Sequence, residues 1–209
     1  MKPLILGGLL CALVGQANAG PLDDAIRQGD VLRADAAIDD GASIDAPIPP
    51  FMMTPLAMAA IRDDLPMVDL LLSEGADPDA PGLRGMNALS AAVRSCTAGA
   101  DVIAALIDAG ADLEDRSGAD LTPLMAAIQE ERTDIALLLM DKGADVNVLN
   151  QYRDGVLNYA IYTKNPVIVQ AAMAADVDLT QLDILFTTGV YYYPGFGSAR
   201  PHCRSDSDF

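Results

Sequence analysis

The sequence predicts an all-α solenoid, a stack of about five helix-turn-helix repeats followed by an irregular C-terminal tail. Two phase-locked markers and the apolar periodicity between them carry that prediction. Gly-Ala-Asp, or the close variant Gly-Ala-Ser, returns at Gly41, Gly75, Gly110 and Gly143, with glycine spacings of 34, 35 and 33 residues. Thr-Pro-Leu or a variant stands 21 residues upstream of three of these glycines, as Gly20-Pro21-Leu22, Thr54-Pro55-Leu56 and Thr122-Pro123-Leu124, while Asn87-Ala88-Leu89 lies two residues further back. A period of this size marks an array whose units bury their apolar faces against one another.

The second repeat shows the elements most clearly. Thr54 can cap a helix whose first turn holds Pro55, where a missing N–H costs nothing. Leu56, Ala59 and Ala60 then fall at helical spacing, and the small alanines let a second helix pack close. Asp63-Asp64 breaks to that second helix, whose stripe is read as Leu65, Val68, Leu71 and Leu72. Gly75 supplies the left-handed residue that ends it, and Asp77-Pro78 turns the chain into a hairpin-like finger, 80–86. The repeats fall at about 20–53, 54–86, 87–121, 122–154 and 155–179. The first is polar and reads as an N-terminal cap. The third lacks Thr-Pro and carries two extra residues around 94–100, between its helices. The fifth is shorter and lacks the closing glycine. Residues 180–209 leave the pattern as a capping segment and tail. The tail's Tyr191, Tyr192, Tyr193 and Phe196 have two readings, a cover over the last repeat or part of a binding surface.

On the period, the Thr-Pro-Leu marker and the Gly-Ala-Asp marker, residues 20–179 resemble the ankyrin-repeat family. The resemblance implies a protein-binding module that works through its finger tips and the exposed face of its inner helices, without catalysis. Carried onto this chain, the fingers are 47–53, 81–86, 116–121 and 149–154. They bring forward Phe51, Met52, Met53, Leu83, Arg84, Met86, Arg116 and Tyr152, an apolar and arginine-rich set of the kind interface centres favour. Met58, Arg62, Met125, Gln129 and Tyr159 are the inner-helix positions expected to face the same groove.

The N-terminus carries an address. Lys2, the apolar run 4–14 and the small-x-small site Ala17-Asn18-Ala19 form a secretory signal peptide over 1–19, cleaved after Ala19. The run is too short to span a membrane, and Leu10 before Cys11 does not suit a lipidation site. The expected location is the bacterial periplasm, or secretion. Export leaves Cys96 and Cys203 as an even pair in a compartment where disulfides persist, and a bond between them is expected. Two free thiols are the competing reading.

The formal net charge of −17 disfavours nucleic acid and anionic membrane surfaces, because binding either draws on lysine and arginine. A solvated acidic surface accounts for most of the charge, and an acidic face would also steer a basic protein partner. Catalytic parts are missing. The lone histidine, His202, has no HxxxH, HExxH or CxxC spacing around it, and no nucleophile-elbow, phosphate-loop or dinucleotide motif occurs. No metal or cofactor is expected. The sequence therefore points to a non-enzymatic periplasmic binder, monomeric when free, that sequesters a specific protein in an immunity-type role. The alternatives are an accessory to an envelope oxidative-defence enzyme such as a catalase, or a structural envelope adaptor.

Overall fold

The fold was described from a computed structural model over residues 20–82, 85–116 and 120–181. The expectations for the signal peptide, Leu83, Arg84, His202, Cys203 and the tyrosine run fall outside the described residues. Among those described, ten α-helices follow in pairs: α1 (Pro21–Gln28) and α2 (Val31–Asp39), α3 (Pro55–Ile61) and α4 (Leu65–Ser73), α5 (Ala88–Arg94) and α6 (Ala100–Asp108), α7 (Pro123–Gln129) and α8 (Thr133–Asp141), α9 (Val156–Tyr162) and α10 (Pro166–Ala174). A 3₁₀ turn over Leu179–Gln181 closes the described chain. The odd-numbered helices form an inner layer in the order α1, α3, α5, α7, α9, and the even-numbered ones an outer layer in the same sequence. This is the predicted all-helical solenoid.

Local chemistry sets each inner helix. Thr54 and Thr122 accept the backbone N–H of Ala57 and Met125 through their hydroxyls, and Pro55 and Pro123 follow in the first turn. Asn87 does the same for Ser90, so the third repeat keeps its cap without the Thr-Pro pair. Each of the three central inner helices, α3, α5 and α7, is sandwiched between two inner neighbours and backed by its outer partner. In α3 every residue from Pro55 to Ala60 is buried as a result, and alanine at 57, 59 and 60 is what lets three helices approach at once.

The outer helices bury one narrower stripe. In α4 it consists of Met67, Val68 and Leu71, which corrects the expected stripe in two places. Leu65, the first residue of the helix, and Leu72 are only partly buried against the core. Gly75, Gly110 and Gly143 end the outer helices in the left-handed region, with φ of 87°, 96° and 95°. In the fifth repeat Asp176 takes the same conformation at φ 54°, one of the residue types that tolerates it.

The turns between paired helices repeat as well. Asp63, Glu131 and Lys164 cross them at φ 59°, 57° and 54°. The third repeat replaces that single left-handed residue with the loop 95–99, in which Cys96 and Thr97 are exposed while Ala98 is buried. The predicted insertion is thus where the sequence placed it, with its tip outward.

Candidate protein-binding face

Finger one turns between Ile48 and Met53, which are bridged in antiparallel fashion with the Ile48 N–H donating to the Met53 carbonyl at 2.7 Å. Finger two closes with Gly82 N–H donating to the Met86 carbonyl at 2.9 Å. A Cβ on Gly82 would stand 3.2 Å from the Met86 carbonyl oxygen and 3.5 Å from that of Met52. Glycine leaves room for the close approach of its own finger's Met86 carbonyl, and the backbone of finger one lies against the same spot at ordinary van der Waals distance. Finger four is organised by Asn150, whose side-chain oxygen accepts the N–H groups of Tyr152 and Asp154 at 2.8 and 2.9 Å. Its amide nitrogen donates to the Tyr159 hydroxyl at 3.0 Å. Neighbouring elements brace the row. Arg27 Nη2 donates to the Pro49 carbonyl at 2.6 Å, Arg116 donates to the Leu149 carbonyl, and the Gln151 N–H donates to Asp120.

These braced tips put large side chains into solvent: Phe51 is 57% exposed, Met52 47% and Tyr152 64%. Arg116 is exposed beside them, paired with Asp120 at 3.5 Å, and Met53 and Met86 are half-buried at the finger bases. The structure therefore brings together the described finger residues.

It does not bring the inner-helix set to the same surface. Met58, Met125 and Tyr159 are 6%, 0% and 5% exposed: α3 and α7 have inner neighbours on both sides, and α9 packs against α7 and α10. Tyr159 lies beneath finger four, holding Asn150. Burial, only partly offset by the Asn150 hydrogen bond, raises its pKa to about 12, so it is a neutral hydrogen-bonding post. Arg62 is exposed and Gln129 half-buried at the far ends of α3 and α7, about 10 Å from the fingers at 1.5 Å per helical residue.

The acidic turns have a structural use that the sequence reading overlooked. Asp45 Oδ1 accepts the N–H of Asp77 at 3.0 Å, Asp79 Oδ1 that of Asp112 at 2.9 Å, Glu114 Oε1 that of Asp145 at 2.7 Å and Asn147 Oδ1 that of Asp178 at 2.7 Å. Each rung ties one repeat's closing turn to the next. Within the turns, Asp77, Asp112, Asp145 and Asp178 accept the N–H two residues on, at 2.8 to 3.0 Å. The signal lay in the recurrence of an acceptor two residues after each Gly-Ala-Asp aspartate, read at first as surface charge. Glu114 is the strained rung. Its Oε2 is buried without a hydrogen-bond partner, and burial, reinforced by Asp145 and Asp112 against the backbone bond and Arg116, raises its pKa.

Arg132 is the other residue missed. Its Nη1 donates to the carbonyls of Ala92, Val93 and Ser95 at 3.2, 3.1 and 2.7 Å, and its Nη2 to that of Ala98. One guanidinium thereby fastens the end of α5 and the inserted loop to the fourth repeat. Burial lowers its pKa from the ordinary arginine value, against Asp134, Asp63 and Glu130. Cys96, on the loop so held, is disulfide-bonded, and its partner lies outside the described residues.

Among the described residues no helix is long and apolar enough to cross a membrane. Comparison with known proteins agrees with the architecture. Over 140 residues the chain is 33% identical to a putative ankyrin repeat protein of fowlpox virus (strain NVSL), an alignment that covers 67% of this chain but 20% of that relative. The model of the family described as ankyrin repeats (3 copies) matches residues 22–117 and 96–183. Members of that family are generally non-catalytic modules for protein–protein interaction. With a match over more than half of its length, the chain belongs to the ankyrin-repeat family.

Proposed function

We propose that this protein is a non-catalytic binder of the bacterial periplasm that sequesters one specific protein through its finger row, in an immunity-type role. The observation that carries the reading is the exposure of Phe51, Met52 and Tyr152 on turns that are individually braced. Large side chains held in place on a rigid base lose little freedom on binding, and aromatic and methionine residues are typical interface anchors. The net charge of −17 supports a basic partner, drawn in by long-range attraction. The leader-like residues 1–19 support export.

The test uses the protein exported and purified from periplasmic extract. N-terminal sequencing is expected to start at Gly20. Capture of the partner is then compared between the wild type and a Phe51→Ala, Met52→Ala, Tyr152→Ala variant whose circular dichroism matches it. Truncating hot-spot anchors costs about 2 kcal/mol or more each, so the triple variant should lose the partner altogether. Equal retention by both proteins would move the interface off the fingers. A partner with an acidic surface would refute the steering argument.

A further inference from the structure

We propose, resting on the finger-row reading above, that Met52 and Arg153 determine which protein is bound: fingers one and four act as a two-point clamp, finger one seating in an apolar pocket and Arg153 pairing with a carboxylate set into an otherwise basic partner. The first support is backbone register. In each finger the residue two before the inner helix's N-cap is left-handed, as Met52, Gly85, Asp120 and Arg153 at φ 52°, 81°, 56° and 65°. Finger two fills this position with glycine, which takes it without strain. Finger three uses aspartate, a residue type that tolerates it, and its carboxylate is engaged within the fold by the Gln151 N–H and Arg116. Methionine and arginine have neither excuse. Met52 is 47% exposed, and the exposed Arg153 side chain makes no ion pair among the described residues. Strained side chains with no task inside the fold are candidates for a task outside it.

The second support is what stands beside them. Phe51 and Tyr152, 57% and 64% exposed, occupy the same register, one residue before Met52 and Arg153. Glu131 and Lys164 are left-handed too, but their neighbours are Glu130, Arg132, Thr163 and Asn165, and no exposed aromatic flanks them. Finger four is built to hold its tip still. Asn150 Oδ1 accepts the N–H groups on either side of Arg153, those of Tyr152 and Asp154, while the Arg153 N–H donates to the Asn150 carbonyl at 2.9 Å.

The chemistry of the two tips differs. Residues 46–53 carry no charge, so finger one offers an apolar wedge, whereas finger four offers a tyrosine and a guanidinium suited to a carboxylate. Three repeats separate them, about 25–30 Å at ordinary helix spacing. A partner must match both points at that distance, which gives discrimination that net charge alone does not.

The test measures the affinity of each variant for the protein that the wild type retains from periplasmic extract, with urea unfolding alongside. Met52→Gly and Arg153→Gly install the residue that finger two uses in this register. Both should unfold at an equal or higher urea midpoint while Kd rises about tenfold or more. At position 153, lysine should bind within a few-fold of arginine, glycine more weakly, and glutamate most weakly of all. Steering of a basic partner by net charge predicts the reverse order, because glutamate makes the binder more negative. Glutamate binding as tightly as arginine would overturn the proposal, as would affinity lost only in step with a falling midpoint. Phe51→Ala and Tyr152→Ala report on the finger-row reading separately. If both keep the wild-type Kd, or the wild type retains no protein, that reading fails and this inference with it. If both lose affinity while the two glycine variants keep it, the inference alone is overturned.

Discussion

Replacing Arg132 with alanine takes away a guanidinium that fastens the inserted loop of repeat three to repeat four. The cost follows from counting donors. Nη1 touches three carbonyls, at 3.2, 3.1 and 2.7 Å, but carries two N–H groups. With the Nη2 contact to Ala98, the guanidinium makes about three hydrogen bonds' worth of interaction. Bonds to a charged group contribute about 1.5–3 kcal/mol each. Against that stands the desolvation that holds this arginine's pKa below its ordinary value, which takes back a large share. The balance is a loss of about 2–4 kcal/mol. Arg132 is the N-cap residue of α8 but makes no side-chain cap bond, so the substitution leaves the helix start as it was. Urea unfolding followed by circular dichroism measures the loss, and hydrogen exchange at 95–99 should rise with it. Lysine retains the charge but concentrates its donors on one nitrogen, so Arg132→Lys should recover about half. A loss below about 1 kcal/mol for alanine, or wild-type stability for lysine, would show that the carbonyls are satisfied without the guanidinium.

Two further outcomes follow from other strained positions. Glu114→Gln keeps the acceptor for the Asp145 N–H while removing a buried charge, and should stabilise at pH 7 by a few tenths to about 1 kcal/mol. A carboxyl whose pKa is raised by folding favours the folded state only when protonated, so that contribution is full below the unfolded pKa and lost as pH rises through the folded one. The advantage of glutamine should accordingly shrink as pH falls toward 4.5, the ordinary value from which Glu114 is raised. Thermal unfolding at several pH values checks this. Lys164→Gly relieves a left-handed residue at φ 54°. Such strain costs about 1–2 kcal/mol, glycine's extra unfolded freedom returns about 0.5–1, and a gain near 0.5 kcal/mol in urea unfolding is expected.

Most of the architecture was legible because it is written in local chemistry. Thr54 and Thr122 cap, Pro55 and Pro123 follow, and Gly75, Gly110 and Gly143 end helices wherever they occur, so one repeat read correctly served for the others. What escaped the sequence was contact between repeats. Arg132 is 34 to 40 residues from the carbonyls it holds, and its neighbourhood Glu130-Glu131-Arg132 reads as an ordinary charged turn. Met58, Met125 and Tyr159 were assigned to the groove from their place on the inner helix, yet how far a neighbouring helix covers a position depends on interhelical spacing, which no single repeat encodes. Asn150 could have been found: an asparagine opening a turn is an invitation to side-chain-to-backbone bonding. The tyrosine nine residues later that completes it could not.

The acidic ladder separates what the fold needs from what a partner would use. A rung requires an acceptor, and Asn147 shows that a neutral one suffices, at 2.7 Å from the Asp178 nitrogen. Carboxylates at 45, 79 and 114 therefore bring charge that the ladder does not demand, and at Glu114 that charge works against folding. If the surplus steers a basic partner, the triple substitution Asp45→Asn, Asp79→Asn, Glu114→Gln should leave unfolding free energy equal or higher while slowing association. The net charge becomes three units less negative than −17, enough to change a long-range association rate several-fold at low ionic strength and little at high salt. Stopped-flow or surface-binding kinetics with the captured partner at two salt concentrations gives the answer. A slower, less salt-dependent on-rate with an unchanged off-rate assigns the surplus charge to recognition. An unchanged on-rate would mean that the carboxylates answer to solubility alone, and would leave the exposed fingers as the only basis for partner choice.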